Sequence, residues 1–296
     1  MKLFATKPFD RALPAWRLLL SPAAIVLCIL TVYPIVRVLF LSVFQTDYGF
    51  EDADFVGGEN YTYLLSNSGF QRASWNTVVF TVMATASEVG LGLMLALLFN
   101  RRFPGRFVVI PIIVAPYVLA TMVVTAIWRA WFHYDFGFLN KVLRAAHLPP
   151  VEWLFNPDIA MLSLVLVDIW QTAPFAFLIL LAGLQSISPD VYEAARIDDA
   201  RPVNIFFRIT IPLLMPYILI AALLRSIESF KIFDKVYALT GGGPGRATET
   251  LSMYVYRLGF KFFDIGLASA AAVVMIVIAA ALAAVYAIKL AGARAE

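Results

Sequence analysis

Charge is scarce in this sequence, and so are cysteine and histidine. Only 15% of the 296 residues are charged, whereas 61% are hydrophobic; a soluble globular chain runs at about 25% charged and about 45–50% apolar. A large soluble core does not account for that excess. The one cysteine, Cys28, excludes an intrachain disulfide and says nothing about compartment. The two histidines, His133 and His147, have no metal-ligand spacing. The net charge of +3 is spread without a block of one sign, so nucleic-acid binding has no support. No internal repeat is evident.

What is present instead is long apolar runs. A bilayer core of about 30 Å requires roughly 20 apolar residues of helix. Six runs qualify, near Leu18–Phe44, Asn76–Phe99, Phe107–Phe132, Ile159–Leu184, Ile209–Phe230 and Leu267–Leu290. They are continuous and do not alternate with period two, which favours helices over a barrel. The fold class expected is an all-α membrane protein of about six transmembrane helices. Lys2, Lys7, Arg11 and Arg17 precede the first run as in a signal peptide. The run is too long and lacks a small-residue cleavage site, so it reads as a retained helix.

Lysine and arginine placement suggests orientation. With the N-terminus inside, inner segments carry Lys2, Lys7, Arg11 and Arg17, then Arg101, Arg102 and Arg106, then Arg196, Arg201 and Arg208, then Lys289 and Arg294. The first outer loop is acidic, with Asp47, Glu51, Asp52, Asp54 and Glu59, whereas the last, with Lys231, Lys235, Arg246, Arg257 and Lys261, runs against the rule. The short Arg101–Arg102 loop weighs most and favours both termini in the cytoplasm. The division expected is a cytoplasmic segment over 1–17 and one transmembrane domain over 18–296, with a cytoplasmic loop at 185–208 inside it. The outer loops are long for simple connections and hold Tyr61, Tyr63, Trp153 and Tyr237, which favours partial folding or partner contact over disorder.

The loop between the fourth and fifth runs begins as a helix. Ser188 suits an N-cap, Pro189 suits N1, and Asp190 complements the positive helix end. Val191, Ala194, Ala195 and Ile197 form an apolar stripe, Pro202 breaks the helix, and Ile205, Phe206, Phe207 and Arg208 lead into the fifth run. A short helix lying across the membrane surface between two spans can pass a push from a soluble partner to both.

Glu193-Ala194-Ala195, a position at Asp199, and then Ile209-x-Ile211-Pro212 resemble the EAA motif of ABC importer permeases, without insertion or deletion. The wider string resembles the sugar-type permeases. So do Tyr33-Pro34, Asn76-Thr77, Leu91-Gly92-Leu93 with Ala96-Leu97, Pro111, Trp170-x-x-x-Pro174, Phe233-Asp234, the run from Leu239 to Pro244, and Thr248-Glu249-Thr250. Asp199 departs from the family's usual glycine and Ile211 from its frequent leucine. A glycine there supports a tight turn, and aspartate tolerates a positive φ better than most residues.

The resemblance implies a type I ABC importer permease bundle in the cell's inner (plasma) membrane. Its implied partners are a second permease subunit, two ATPase subunits, and a periplasmic or lipid-anchored solute-binding protein that delivers a carbohydrate solute. The implied ATPase-coupling residues are Glu193, Ala194, Ala195, Asp198, Asp199, Ile209 and Pro212. Glu193 would be the polar contact, with the alanines small enough to fit an ATPase cleft or present simply for helix propensity. Mg-ATP would be bound by the ATPase partners, with no cofactor in this chain. Gly241-Gly242-Gly243-Pro244 lacks the Gly-Lys-Ser/Thr of a phosphate loop. It reads as a flexible turn or as a contact for the binding protein.

Ionisable groups inside spans cost about 2.5–3.5 kcal/mol each at mid-helix on insertion scales. Glu88 and Asp168 fall near mid-depth of the second and fourth runs. With Trp170 and Gln171 nearby, a carboxylate beside an aromatic and an amide suits a hydroxyl-rich sugar. An interhelical hydrogen bond explains the same acids equally well. Arg225 and Glu228, three apart, are expected to pair on one helix face, with pathway lining as the second reading. Arg37 and Arg129 can snorkel. An ion-coupled secondary transporter is the alternative function, with Glu88 and Asp168 as proton sites, but such folds usually carry a repeat. The acids at mid-depth favour a neutral solute.

Overall fold

The computed structural model describes residues 13–46, 53–101 and 103–293. Lys2, Lys7, Arg11, Asp47, Glu51, Asp52, Arg102 and Arg294 lie outside the described residues.

The first helix, α1 (Leu13–Leu41), ends before Phe44, which pairs in a two-residue strand (β1, Phe44–Gln45) with β2 (Asp54–Phe55). After α2 (Glu59–Ser66), Asn67 caps α3 (Ser68–Phe99) by accepting hydrogen bonds from the Gly69 and Phe70 amides. The second span is therefore the end of a longer helix that starts eight residues before the apolar run, because the cap lies upstream of the hydrophobic pattern.

The third run is not one helix. It splits into α4 (Arg106–Val118) and α5 (Thr121–Trp131), bent by 94°. Leu119 and Ala120 between them are extended. Pro111 and Pro116 remove two donors from α4, and the helix stops shortly after the second. Hydropathy sees the composition of this segment but not its change of direction.

Next come α6 (Phe138–Ala145) and α7 (Pro157–Ser186), the latter capped by Asn156 with Pro157 at N1. Then follow α8 (Pro189–Ile197), α9 (Pro202–Ile205), a π-helical turn over Phe206–Thr210, and α10 (Ile211–Phe230). Pro202 to Phe230 forms one apolar span, longer than the run that starts at Ile209. The π turn has a local cause. Pro212 has no N–H to give the Arg208 carbonyl, and the Ile211 amide bonds instead to the Phe206 carbonyl five residues back. The chain closes with α11 (Asp234–Leu239), α12 (Leu251–Tyr256), a second π turn over Arg257–Lys261, and α13 (Ile265–Ala293).

Among the described residues five helices are long and apolar enough to cross a membrane, and six spans result if the bent α4–α5 pair counts as one. The centre is α3, α7 and α10. Gly92 lets α3 approach α7 so closely that a Cβ there would sit 2.8 Å from the Ala176 Cβ. Gly183 does the same for α7 against Tyr217 of α10. Around this centre α7 is deeply enclosed, with 67% of its apolar window buried, whereas α1 and α13 have 6% each. Leu27, Leu30, Tyr33 and Val36 of α1 all face outward.

Candidate functional site: a mid-span cavity and the EAA segment

The break between α4 and α5 leaves the Leu119 carbonyl without a helical donor. Gln171 of α7 supplies one, with Nε2 3.0 Å from that oxygen. Non-helical backbone at membrane depth is tolerated where it is buried in protein or lines a cavity. Here it does the latter. A cavity of about 590 Å³ is lined by Leu119, Ala120 and Thr121 at the break, by Asp168, Gln171 and Phe175 of α7, by Arg225 and Glu228 of α10, and by Lys235 of α11. Tyr117 and Phe175 stack across one wall, ring centroids 5.3 Å apart.

Behind that wall lies a buried ion network joining four helices. Arg225 grips Glu88 in a fork, Nε to Oε2 at 2.6 Å and Nη2 to Oε1 at 3.2 Å. Thr172 Oγ1 lies 2.7 Å from Glu88 Oε1. Arg225 also reaches Asp168 Oδ2 at 3.6 Å, and Lys235 Nζ bonds Asp168 Oδ1. All four charged side chains are nearly fully buried. Two acids and two bases cancel, which is how so many charges are accommodated among apolar helices.

Asp168, Gln171, Arg225 and Glu228 thus converge on one cavity. Glu88 does not line it: it is completely buried and serves the interhelical pairing. Trp170 does not line it either; its ring packs edge-on against Trp128 of α5, on another face of α7. The expected Arg225–Glu228 pair is absent. Arg225 turns inward to Glu88, and the exposed Glu228 pairs with Lys231 at 2.9 Å. Lys235, counted with the outer loop by the sequence, is buried. Its signal was available only as an unwelcome positive charge in an outer segment.

At the other end, α8 has the expected start. Ser188 Oγ accepts from the Asp190 amide, with Pro189 at N1. Its end is a Schellman motif: the Ala200 amide bonds the Ala195 carbonyl and the Asp199 amide bonds the Arg196 carbonyl. Asp198 is the C-cap, and Asp199 takes φ +53 at the position where the resemblance has glycine. Ala195 is buried, but Glu193 and Ala194 are exposed. Val191 and Ile197 are exposed too, Ile197 by 85%, so the apolar stripe is not packed on this chain's own bundle. Glu193 and Arg196 share a second cavity with Arg106 and Asn100, at the α3–α4 connection. Tyr192 OH lies 3.4 Å from Thr210 Oγ1 in the π turn, tying α8 to the entry of α10. Ile209 lies in that turn, and Pro212 begins the helix beyond it.

The glycine-rich segment is not a free turn. Gly242 is buried and Gly243 and Pro244 half-buried, while Gly241 is exposed. Thr248 Oγ1 bonds the Gly243 carbonyl, and Asn76 Nδ2 donates to the Arg246 and Glu249 carbonyls. Glu249 pairs with Arg257 at 2.6 Å. Burial pushes the Glu249 carboxyl up, against the opposing pull of Arg257 and Arg246. Among the described residues no three His, Cys, Asp or Glu side chains group to hold a metal.

The sequence profile of the binding-protein-dependent transport system inner membrane component matches residues 88–291. The chain belongs to this family. The permease is 38% identical over 270 residues to a sulfoquinovosyl glycerol transport system permease protein, SmoG, of Agrobacterium fabrum, covering 91% of this chain and 88% of that one. It is 35% identical to the trehalose/maltose transport system permease protein MalF of Thermococcus litoralis, over 91% of each. The crystal structure of a bacterial ABC transporter that imports the acidic polysaccharide alginate contains a chain of the same fold, with TM-score 0.81, 23% identity, and 95% and 96% of the two chains covered. The permease is therefore a multi-pass inner-membrane transport subunit and not itself an enzyme. Membership displaces the ion-coupled alternative.

Proposed function

We propose that this permease forms the solute pathway of an ATP-driven, binding-protein-dependent carbohydrate importer, with the mid-span cavity as its cargo site. The observation that carries this reading is the cavity itself: it opens at a broken span and is lined by buried hydrogen-bonding groups and a stacked aromatic pair. Sugars stack their apolar faces on aromatic rings and hydrogen-bond through their rims. The names of the relatives, one for sulfoquinovosyl glycerol and one for trehalose and maltose, support a carbohydrate.

In this reading a second permease supplies the other half of the pathway. Two ATPase subunits bind Mg-ATP and dock on the helices around the EAA segment, and a solute-binding protein delivers cargo from the outer side. The exposed Glu193, Ala194, Val191 and Ile197 face the ATPase. Both termini lie in the cytoplasm. Gly241 to Pro244 contribute to the binding-protein contact, as a braced edge and not as a mobile loop.

The test is solute-stimulated ATP hydrolysis by the reconstituted importer, wild type against Glu193→Arg. The variant is expected to assemble and to lose stimulated hydrolysis. Full stimulated hydrolysis and uptake in the variant would remove Glu193 from the coupling contact. Uptake by wild type without any ATPase would overturn the reading as a whole.

A further inference from the structure

The cavity walls hold Asp168, Glu228 and Asp234 against Arg225, Lys231 and Lys235, three acids and three bases. Most of these charges are already satisfied. Glu228 pairs with Lys231, Lys235 with Asp168, and Arg225 with Glu88 behind the wall. Two buried acceptors still lack a hydrogen bond. Asp168 Oδ2, which has only the longer 3.6 Å ion contact to Arg225 Nη2, and Gln171 Oε1 have no hydrogen-bond partner, although the two residues are only 3% and 5% exposed. The Gln171 amide cannot turn to exchange its ends without cost, because its nitrogen holds the Leu119 carbonyl. Lys235 gives one hydrogen bond among the described residues, to Asp168, which leaves ammonium N–H groups for an acceptor.

Resting on the cargo-site reading above, we infer that the solute is an uncharged polyhydroxyl compound. Its hydroxyls donate to Asp168 Oδ2 and Gln171 Oε1 and accept from Lys235. A hydroxyl both donates and accepts, so a rim of hydroxyls serves every open position in a wall that has no net charge. An anionic solute would bring its charge against two acceptors that offer it no proton, and would have to compete with carboxylates already placed on Arg225 and Lys235. A cationic solute would meet three bases. Leaving a buried acceptor unsatisfied is the costly outcome on either side, which is how a polar pocket discriminates. The selectivity therefore separates this permease from systems for sulfonated or carboxylated sugars, whatever their overall similarity.

The experiment measures uptake by the complete importer in proteoliposomes, with its binding protein, of a panel of neutral sugars and glycosyl glycerols and of the same solutes carrying a sulfonate. Rates are compared at equal binding-protein occupancy, so that the permease contribution is isolated. Wild type is expected to favour the neutral form by at least about tenfold. Gln171→Lys keeps a donor for the Leu119 carbonyl, replaces an acceptor with a cation, and is expected to cut that ratio about tenfold. Thr121→Lys adds a cation from the cavity-lining start of α5 at a residue outside the ion network, and covers the case in which the first variant fails to assemble. A binding protein that loads only the neutral members supports the inference. One that loads only sulfonated members, or a wild type that takes the sulfonated form equally well, overturns it while leaving the permease reading intact. Ratios unmoved in both variants would overturn the cavity as the cargo site. Loading of neither class would overturn the carbohydrate reading itself.

Discussion

The mid-span cavity and the segment that carries the EAA-like motif are built by opposite means. The EAA segment is local. Cap, helix, C-terminal turn and π turn follow one another between Ser188 and Thr210, and each is caused by a residue within five positions of it. The cavity is assembled from α4, α5, α7, α10 and α11, and its central ion pair joins residues 137 positions apart. The first arrangement leaves apolar and charged side chains exposed for something outside the chain. The second buries charge and satisfies most of it within. Local structure here presents a surface, and long-range structure holds a shape. Stability should therefore reside in the cavity wall, and coupling in the segment that contributes little to stability.

The largest test of that contrast is Arg225→Met. It strands Glu88 as a fully buried carboxylate beside Thr172 and the second buried acid, Asp168, and breaking a buried pair from one side costs about 3–5 kcal/mol. The assembled complex should lose most of its resistance to heating. The double change Glu88→Leu with Arg225→Met removes the stranded charge and should recover most of the loss. If the double variant is as unstable as the single one, the network is not what sets stability at this wall.

Pro212→Ala examines the other side. Alanine restores the donor that the Arg208 carbonyl lacks, so the π turn can revert to a regular helix. The restored hydrogen bond stabilises, the freed unfolded chain takes back about 0.4–1 kcal/mol, and stability should change by no more than about 1 kcal/mol. Reversion would rotate Phe206–Thr210 relative to α10 and shift Tyr192 away from Thr210. Stimulated ATP hydrolysis should then fall several-fold while the melting temperature of the complex holds. A variant that loses both together would erase the distinction between the two regions.

The same distinction explains what could be read in the sequence. The apolar runs gave the spans, because a bilayer selects on composition and length. Ser188, Pro189 and Asp199 marked the helix α8 and its ends, because capping and turn chemistry act between near neighbours. The bend between α4 and α5 stayed hidden, since Val118, Leu119 and Ala120 are as apolar as a continuous helix requires. The partner of Arg225 stayed hidden as well. A charge three residues away looked sufficient, but the exposed Glu228 pairs with Lys231 while the buried Arg225 reaches past it to Glu88 on another helix. The burial of Lys235 stayed hidden too, because no short-range pattern marks a lysine beyond a span that folds back onto Asp168. Trp170 was placed beside the cargo because it adjoins Asp168 in sequence, although one residue along a helix turns a side chain by about 100°.

Asp199 carries the smallest and most discriminating prediction. It sits just past the C-cap with φ +53, where a side chain is disfavoured and glycine is at ease. Two consequences of Asp199→Gly oppose each other. Relief of the left-handed conformation stabilises the turn, by less than the ~1–2 kcal/mol typical of other residues because aspartate tolerates it. Added freedom in the unfolded chain takes back about 0.4–1 kcal/mol. The net change in stability should be within about 0.5 kcal/mol, and stimulated hydrolysis should be unchanged. Asp199→Val has no such compensation and should lower stability by about 1–2 kcal/mol. If Asp199→Gly keeps its stability but loses stimulated hydrolysis, the carboxylate itself touches the ATPase, and the residue belongs with Glu193 as a contact. If the glycine variant is indistinguishable from wild type, Asp199 serves only the turn, and the coupling surface is defined by the exposed side chains of α8.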